Sequence, residues 1–214
     1  MDASQLVAKV NHGNGMAAQR LGNIVSHYRA TSPFSPLKTT PLQLLPASFV
    51  ADNSYMRAAR YGQASRIGIF DATLFREGDF LVSPSEGTFY VAAMPLLQPV
   101  LCVKAERLIT FRRTTSEGPG IGMQEYGGTT TAREEAIMTD WPASILLIRS
   151  GEHSPLRLPA DTRSAGYSIL MSAFRGIQMQ AGDFVSDETG RRYVITGSEL
   201  TDMGWRLIAM RVSV

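Results

Sequence analysis

Phe75-Arg76-Glu77-Gly78-Asp79-Phe80-Leu81-Val82 and Met179-Gln180-Ala181-Gly182-Asp183-Phe184-Val185 are two versions of one segment, Gly182 standing 104 residues after Gly78. Each runs into a polar turn, residues 83–87 or 186–190, and then into a second apolar strand. With one residue deleted from the second turn, Gly87 aligns with Gly190 and Tyr90-Val91 with Tyr193-Val194. Self-similarity at a fixed offset marks a duplicated structural unit. Within each unit Gly-Asp reads as a tight turn, the glycine supplying an unusual backbone angle and the Asp side chain bonding nearby amides. The apolar strand enters a core, the hairpin returns it as an antiparallel neighbour, and such hairpins in series build a small barrel or sandwich. The recurrence also decides between roles for Asp79 and Asp183. A turn that both units must make explains a repeated carboxylate more simply than catalysis or metal binding does.

Outward from this pair, the chain is an inventory of short β-branched and aromatic runs bounded by turn residues: Val100-Leu101-Cys102-Val103, Leu108-Ile109-Thr110-Phe111, Ile145-Leu146-Leu147-Ile148 and Trp205-Arg206-Leu207-Ile208. The expected fold is therefore mainly β, two related small barrel or sandwich modules preceded by a short helical N-terminal arm. We place the arm and a proline-rich strap at residues 1–46, the first module at 47–114, a glycine-rich loop at 115–139 and the second module at 140–214. Large aromatics dominate small cores, which assigns Tyr90, Tyr193 and Trp205 to the interior. Cys102, inside an apolar run, reads as a small core hydrophobe rather than a reactive thiol.

The N-terminal arm has a different pattern. Leu6, Val7, Val10, Met16, Ala17, Leu21, Ile24, Val25 and Tyr28 recur at mostly three- and four-residue spacings, an amphipathic helical period. His12-Gly13-Asn14-Gly15 interrupts it, predicting two short helices joined by a turn, since each glycine costs a helix about 1 kcal/mol. Ser32-Pro33 and Ser35-Pro36 end the second helix. Residues 33–46 then read as an extended strap whose Leu42, Leu44, Leu45 and Phe49 either meet another subunit or pack on the chain's own β module. Residues 1–70 carry Lys9, Arg20, Arg29, Lys38, Arg57, Arg60 and Arg66 against Asp2 and Asp52, a net of +5 within a chain of net +2. The positive charges are dispersed, which favours an acidic protein surface over nucleic acid as their partner. Leu6, Val10, Arg20, Leu21, Val25, Arg29, Leu42, Leu44 and Leu45 are thus the candidate assembly interface.

Recognisable chemistry is sparse. His12, His27 and His153 have no ligand partners at metal spacing, no Gly-x-Ser-x-Gly elbow occurs, and the glycine-rich residues 115–131 lack the Lys-Ser/Thr of a phosphate loop. No run approaches the length of a membrane span, and the first residues lack a signal-peptide layout. We expect a soluble protein made in the cytosol, no cofactor, no metal and no catalytic residues.

The order of features is similar to that of a known class. Gly15-Met16-Ala17-Ala18-Gln19-Arg20-Leu21-Gly22, Tyr28-Arg29 leading to a proline-rich strap, Gly78-Asp79-Phe80, Phe89-Tyr90-Val91-Ala92-Ala93-Met94 and Leu200-Thr201-Asp202-Met203-Gly204-Trp205-Arg206-Leu207 together resemble the small virion structural proteins of tailed bacteriophages. The closing part looks most like the β-barrel neck proteins that join head to tail. The resemblance implies a ring-forming, non-enzymatic subunit docked on portal, neck or tail proteins around the path of packaged DNA. Such neck proteins commonly carry one β module where this chain carries two, so a tail-tube, baseplate, hub or tail-fibre attachment protein is the alternative station. A particle-borne hydrolase is the alternative class.

Overall fold

A computed structural model of the chain describes residues 2–51, 63–114, 134–148 and 166–212. Among these residues one α-helix, α1 (Ala3–Leu21), leads into twelve strands that form two closed six-stranded barrels. Barrel 1 is built from β1 (Asn23–Tyr28), β2 (Gln43–Val50), β3 (Ser65–Ile69), β4 (Phe80–Ser83), β5 (Gly87–Ala93) and β6 (Val100–Ala105). Barrel 2 is built from β7 (Arg107–Thr114), β8 (Glu134–Leu147), β9 (Gly166–Met171), β10 (Phe184–Asp187), β11 (Arg192–Thr201) and β12 (Gly204–Val212). Every pairing is antiparallel, and the ring order is the same in both: first, second, third, sixth, fifth and fourth strand, closing on the first.

The mainly β, two-module architecture stands as the sequence predicts it, but its boundaries move. Each barrel begins one strand pair earlier than expected. β1 and β2 lie within residues 1–46 or across their end, and β7 belongs to barrel 2 rather than to the first module. The physical reason is closure: without β1, both β2 and β4 would present a bare edge. Only Glu106 separates the last strand of barrel 1 from the first of barrel 2.

The helical arm also differs from expectation. α1 is one unbroken helix, with Asp2 as N-cap accepting a hydrogen bond from the Ala3 amide. Of the glycines read as a helix-breaking turn, Gly13 stands free and Gly15 allows instead a close approach to the barrel. A Cβ on Gly15 would stand 3.1 Å from Asp71 Cβ, and one on Gly22, just past the helix, would meet the Ala47 carbonyl oxygen at 2.3 Å. The apolar period that continued to Tyr28 belongs to a strand from Asn23 onward, where Val25 and His27 point inward.

The duplicated segment is real, with a corrected register. Phe80 pairs with Tyr90 and Phe184 with Val194, so Tyr90 corresponds to Val194, and Phe89 to Tyr193. No residue is deleted. The distinction matters because a one-residue slip exchanges the faces of a strand. Phe89 fills barrel 1 with Val25, Leu45, Phe70, Leu81 and Val91, whereas Tyr90 and Phe80 face outward onto barrel 2. There Phe80 meets Trp141 edge-on at 5.4 Å between ring centres, and a single apolar cluster runs from Phe80, Tyr90 and Val103 through Trp141 into Tyr193, Trp205 and Leu207. Cys102 is fully buried in barrel 1, and that burial pushes its thiol pKa up, away from thiolate chemistry.

Candidate assembly surface

The repeated Gly-Asp turns are built alike, atom for atom. Gly78 and Gly182 have positive φ, +89° and +95°, and each donates its amide to the strand opposite, Gly78 to the Val91 carbonyl and Gly182 to the Ile195 carbonyl at 2.8 Å. Asp79 accepts from the Arg76 amide and Asp183 from the Gln180 amide, at 2.9 and 2.8 Å. Each carboxylate is then gripped by an arginine from the end of the barrel's first strand. Arg29 Nε and Nη2 reach Asp79 at 2.7 Å, Arg113 Nε and Nη2 reach Asp183 at 2.7 Å, and the same Nη2 atoms also donate to the carbonyls of Leu74 and Gln178. A bidentate arginine is the strongest available fastening for a buried carboxylate. These clasps lock the loop before the fourth strand onto the first strand, and they hold the two aspartates away from solvent, at 2% and 3% exposure.

Barrel 1 adds one group that sequence reasoning missed. His27, 1% exposed, places Nε2 2.9 Å from Asp79 Oδ2, stacks on Phe75 at 3.9 Å and stands 3.3 Å from Gln43 Nε2 through Nδ1. With Gln43 donating to Nδ1, Nε2 carries the proton given to Asp79. Barrel 2 has Phe111 at this place, as the pairings of His27 with Leu81 and of Phe111 with Val185 show. Burial works to raise the Asp79 pKa, yet the bonds from Arg29, His27 and the Arg76 amide outweigh it and hold the carboxyl below its ordinary value. A histidine and an aspartate fifty-two positions apart leave no spacing signature in the sequence.

The predicted interface residues separate into two groups. Val25 and Leu45 are buried inside barrel 1 and Arg29 is committed to Asp79, so these three are corrected to structural roles. Leu6, Leu21, Leu42 and Leu44 are exposed, at 39%, 70%, 58% and 66%, joined by Ile24 at 58%. Ile24 and Leu44 lie on the outer wall of barrel 1, in adjacent cross-strand pairs, Ile24 with Pro46 and Ser26 with Leu44. Val10 is half-buried and Arg20 exposed on α1. Tyr90, Tyr193 and Trp205 are buried, at 2%, 2% and 5% exposure. The glycine-rich residues 115–131 and His153 lie outside the described residues.

Beside this wall, α1 and barrel 1 enclose an open cleft of about 490 Å³ between Met16, Leu45, Pro46 and Leu74, rimmed by His12, Gln19, Gln43, Asp71 and Thr73. It lies along the first half of β2, whose far edge has no partner among the described residues, since β3 joins β2 only at Ser48–Val50. The corresponding stretch of β8 is occupied. Pro33–Ser35, from the β1–β2 connector, run parallel to it: the Thr139 amide donates to the Pro33 carbonyl at 3.2 Å and the Ser35 amide to the Thr139 carbonyl at 2.8 Å. Ser35 Oγ and Lys38 Nζ then bind Asp140, at 2.8 and 2.6 Å, which keeps that carboxyl pKa below the usual range. Thus part of the predicted strap lies on the chain's own second barrel.

No family model and no curated protein matches this chain. Among solved structures it is similar to the phage-like element PBSX protein xkdH from Bacillus subtilis, with a TM-score of 0.29 and 11% identity over 49% of this chain and 92% of that one. No helix among the described residues is long and apolar enough to cross a membrane, and no group of three or more His, Cys, Asp or Glu there is placed to hold a metal ion.

Proposed function

We propose that the chain is a non-enzymatic structural subunit of a tailed-bacteriophage particle, forming a ring at the head–tail junction or in the tail around the path of the DNA. The observation that carries an assembly role is the surface of barrel 1. Ile24, Leu42 and Leu44 stand in solvent on the β1–β2 wall of a packed barrel, with Leu21 exposed at the end of α1, and exposed apolar groups gathered on one wall mark contacts with other chains. The recurring carboxylates support a structural reading, because each is consumed by an arginine and a turn amide. The phage setting rests on the sequence resemblance, in the Gly-Asp-Phe segments and the closing Gly-Trp-Arg-Leu hairpin. Its partners in this reading are copies of itself and portal, neck or tail proteins, with packaged DNA nearby, in a virion assembled in the bacterial cytoplasm.

The test is genetic and structural together. Deleting the gene from its phage or prophage should give DNA-filled heads and tails that fail to join, and labelled protein in intact particles should sit at the neck or along the tail in negative stain. Label at the distal fibres would favour a baseplate, hub or fibre-attachment role instead. Turnover of peptidoglycan or DNA by the purified chain would overturn the non-enzymatic reading.

A further inference from the structure

The two barrels repeat each other so closely that a contact made by one predicts a contact for the other. In barrel 2 the groove between β8 and the loop after β9 is filled by the β1–β2 connector. Ala30 and Leu37 pack against the same buried cluster that Phe174 and Ile177 cover, and Pro33–Ser35 add to the edge of β8. The equivalent groove of barrel 1, between β2 and the loop after β3, is the cleft lined by Leu45, Pro46, Thr73 and Leu74. Equivalence is set by pairing: Val25 with Leu45 and Ile24 with Pro46 in barrel 1 correspond to Ile109 with Trp141 and Leu108 with Pro142 in barrel 2. α1 walls this cleft but gives no backbone hydrogen bond to β2, so among the described residues the edge filled in barrel 2 is open in barrel 1.

The counterpart of the β1–β2 connector is the β7–β8 connector, residues 115–133. We infer that the cleft of barrel 1 receives the β7–β8 connector of a second copy, so that copies join head to tail by repeating the strap-on-barrel contact each chain already makes internally. This deepens the ring reading and rests on it. Three observations favour this occupant. The chain's own contact shows that such a groove takes a connector in extended form, as a parallel addition to a strand edge. In sequence, Ile121 follows Arg113 at the same distance as Leu37 follows Arg29, the two arginines being the paired clasp residues. Charge agrees as well: the connector carries Glu117 and Glu125 and no basic residue before Arg133, while α1, which walls the cleft, carries Lys9 and Arg20 and the cleft lining holds a single carboxylate, Asp71. A contact between two different faces of one chain is heterologous, and such contacts close into rings or run on as filaments.

The test uses the full chain and a fluorescent synthetic peptide of residues 114–133, followed by anisotropy. Binding should saturate in the micromolar range, and a scrambled peptide should not bind. Leu74→Glu, at a side chain 65% exposed and outside both cores, and Met16→Glu on the opposite wall should each weaken binding at least tenfold, with unchanged circular dichroism. No binding of the native peptide at millimolar chain, or equal binding by wild type and both variants, overturns the inference. The ring reading is scored separately, by the position of labelled protein in particles, and stands or falls on that image whatever the peptide does.

Discussion

Asp79 accepts hydrogen bonds from Arg29, His27 and the Arg76 amide while 2% exposed, so its charge is held by partners rather than by water. Replacing such a carboxylate by an amide removes the charge that balances Arg29 and sets an NH2 donor among the donors that face this side chain. Asp79→Asn should cost about 2–4 kcal/mol by denaturant unfolding. Asp183→Asn should cost less, because no histidine leans on that carboxylate. The pH dependence follows from the direction of the Asp79 shift. Its folded pKa lies below the ordinary 3.8, so its stabilisation is fully present above that value and is lost as pH falls through the lower folded value. The gap between wild type and Asp79→Asn should accordingly stay constant from pH 5 to 7 and shrink below about pH 4. A gap that widens in acid would refute the assignment.

At the scale of elements, α1 and β1 are neighbours in sequence with opposite consequences for stability. α1 contributes one fully buried side chain, Ala18, and the close backbone approach at Gly22. β1 bonds to β2 and β4 and carries Val25 and His27 into the core. Deleting residues 1–21 should leave a folded protein of strand-type circular dichroism, destabilised by about 1–2 kcal/mol, the usual scale for losing a few partly buried groups. Deleting residues 1–46 removes β1 and half of β2 and should abolish the melting transition of barrel 1. The N-terminal segment is therefore not uniform: β1 closes barrel 1 between β2 and β4, and only the helix can be removed without opening a barrel.

For the whole molecule, the decisive contact is between barrels. Phe80 and Tyr90 leave the outer face of barrel 1 to join Trp141 and the barrel 2 core, and the strap also binds barrel 2, at Thr139 and Asp140. A shared core couples the two modules, so thermal unfolding should be one cooperative transition by calorimetry. Phe80→Ala should cost about 3–5 kcal/mol and split that transition in two, since it removes the ring that bridges the barrels while sparing both interiors. Two transitions in the wild type would contradict a common core.

Much of this was legible from residues alone. Gly78-Asp79-Phe80 and Gly182-Asp183-Phe184 disclosed the duplication, because a turn requiring positive φ and a carboxylate leaves the same residues wherever it is made. Alternating strands and polar hairpins disclosed the mainly β class. A second repeat, Leu45-Pro46-Ala47-Ser48 against Trp141-Pro142-Ala143-Ser144, was equally readable and would have placed β2 in the first module. What only the tertiary structure decided was register, closure and partnership: that Tyr90 faces out while Tyr193 faces in, that Arg29 and His27 converge on Asp79, and that Leu42 and Leu44 stay exposed while Leu45 is buried. These depend on which strands meet across long stretches of chain. Local composition records what a residue can do; only the long-range pairing of strands selects the partner with which it does it.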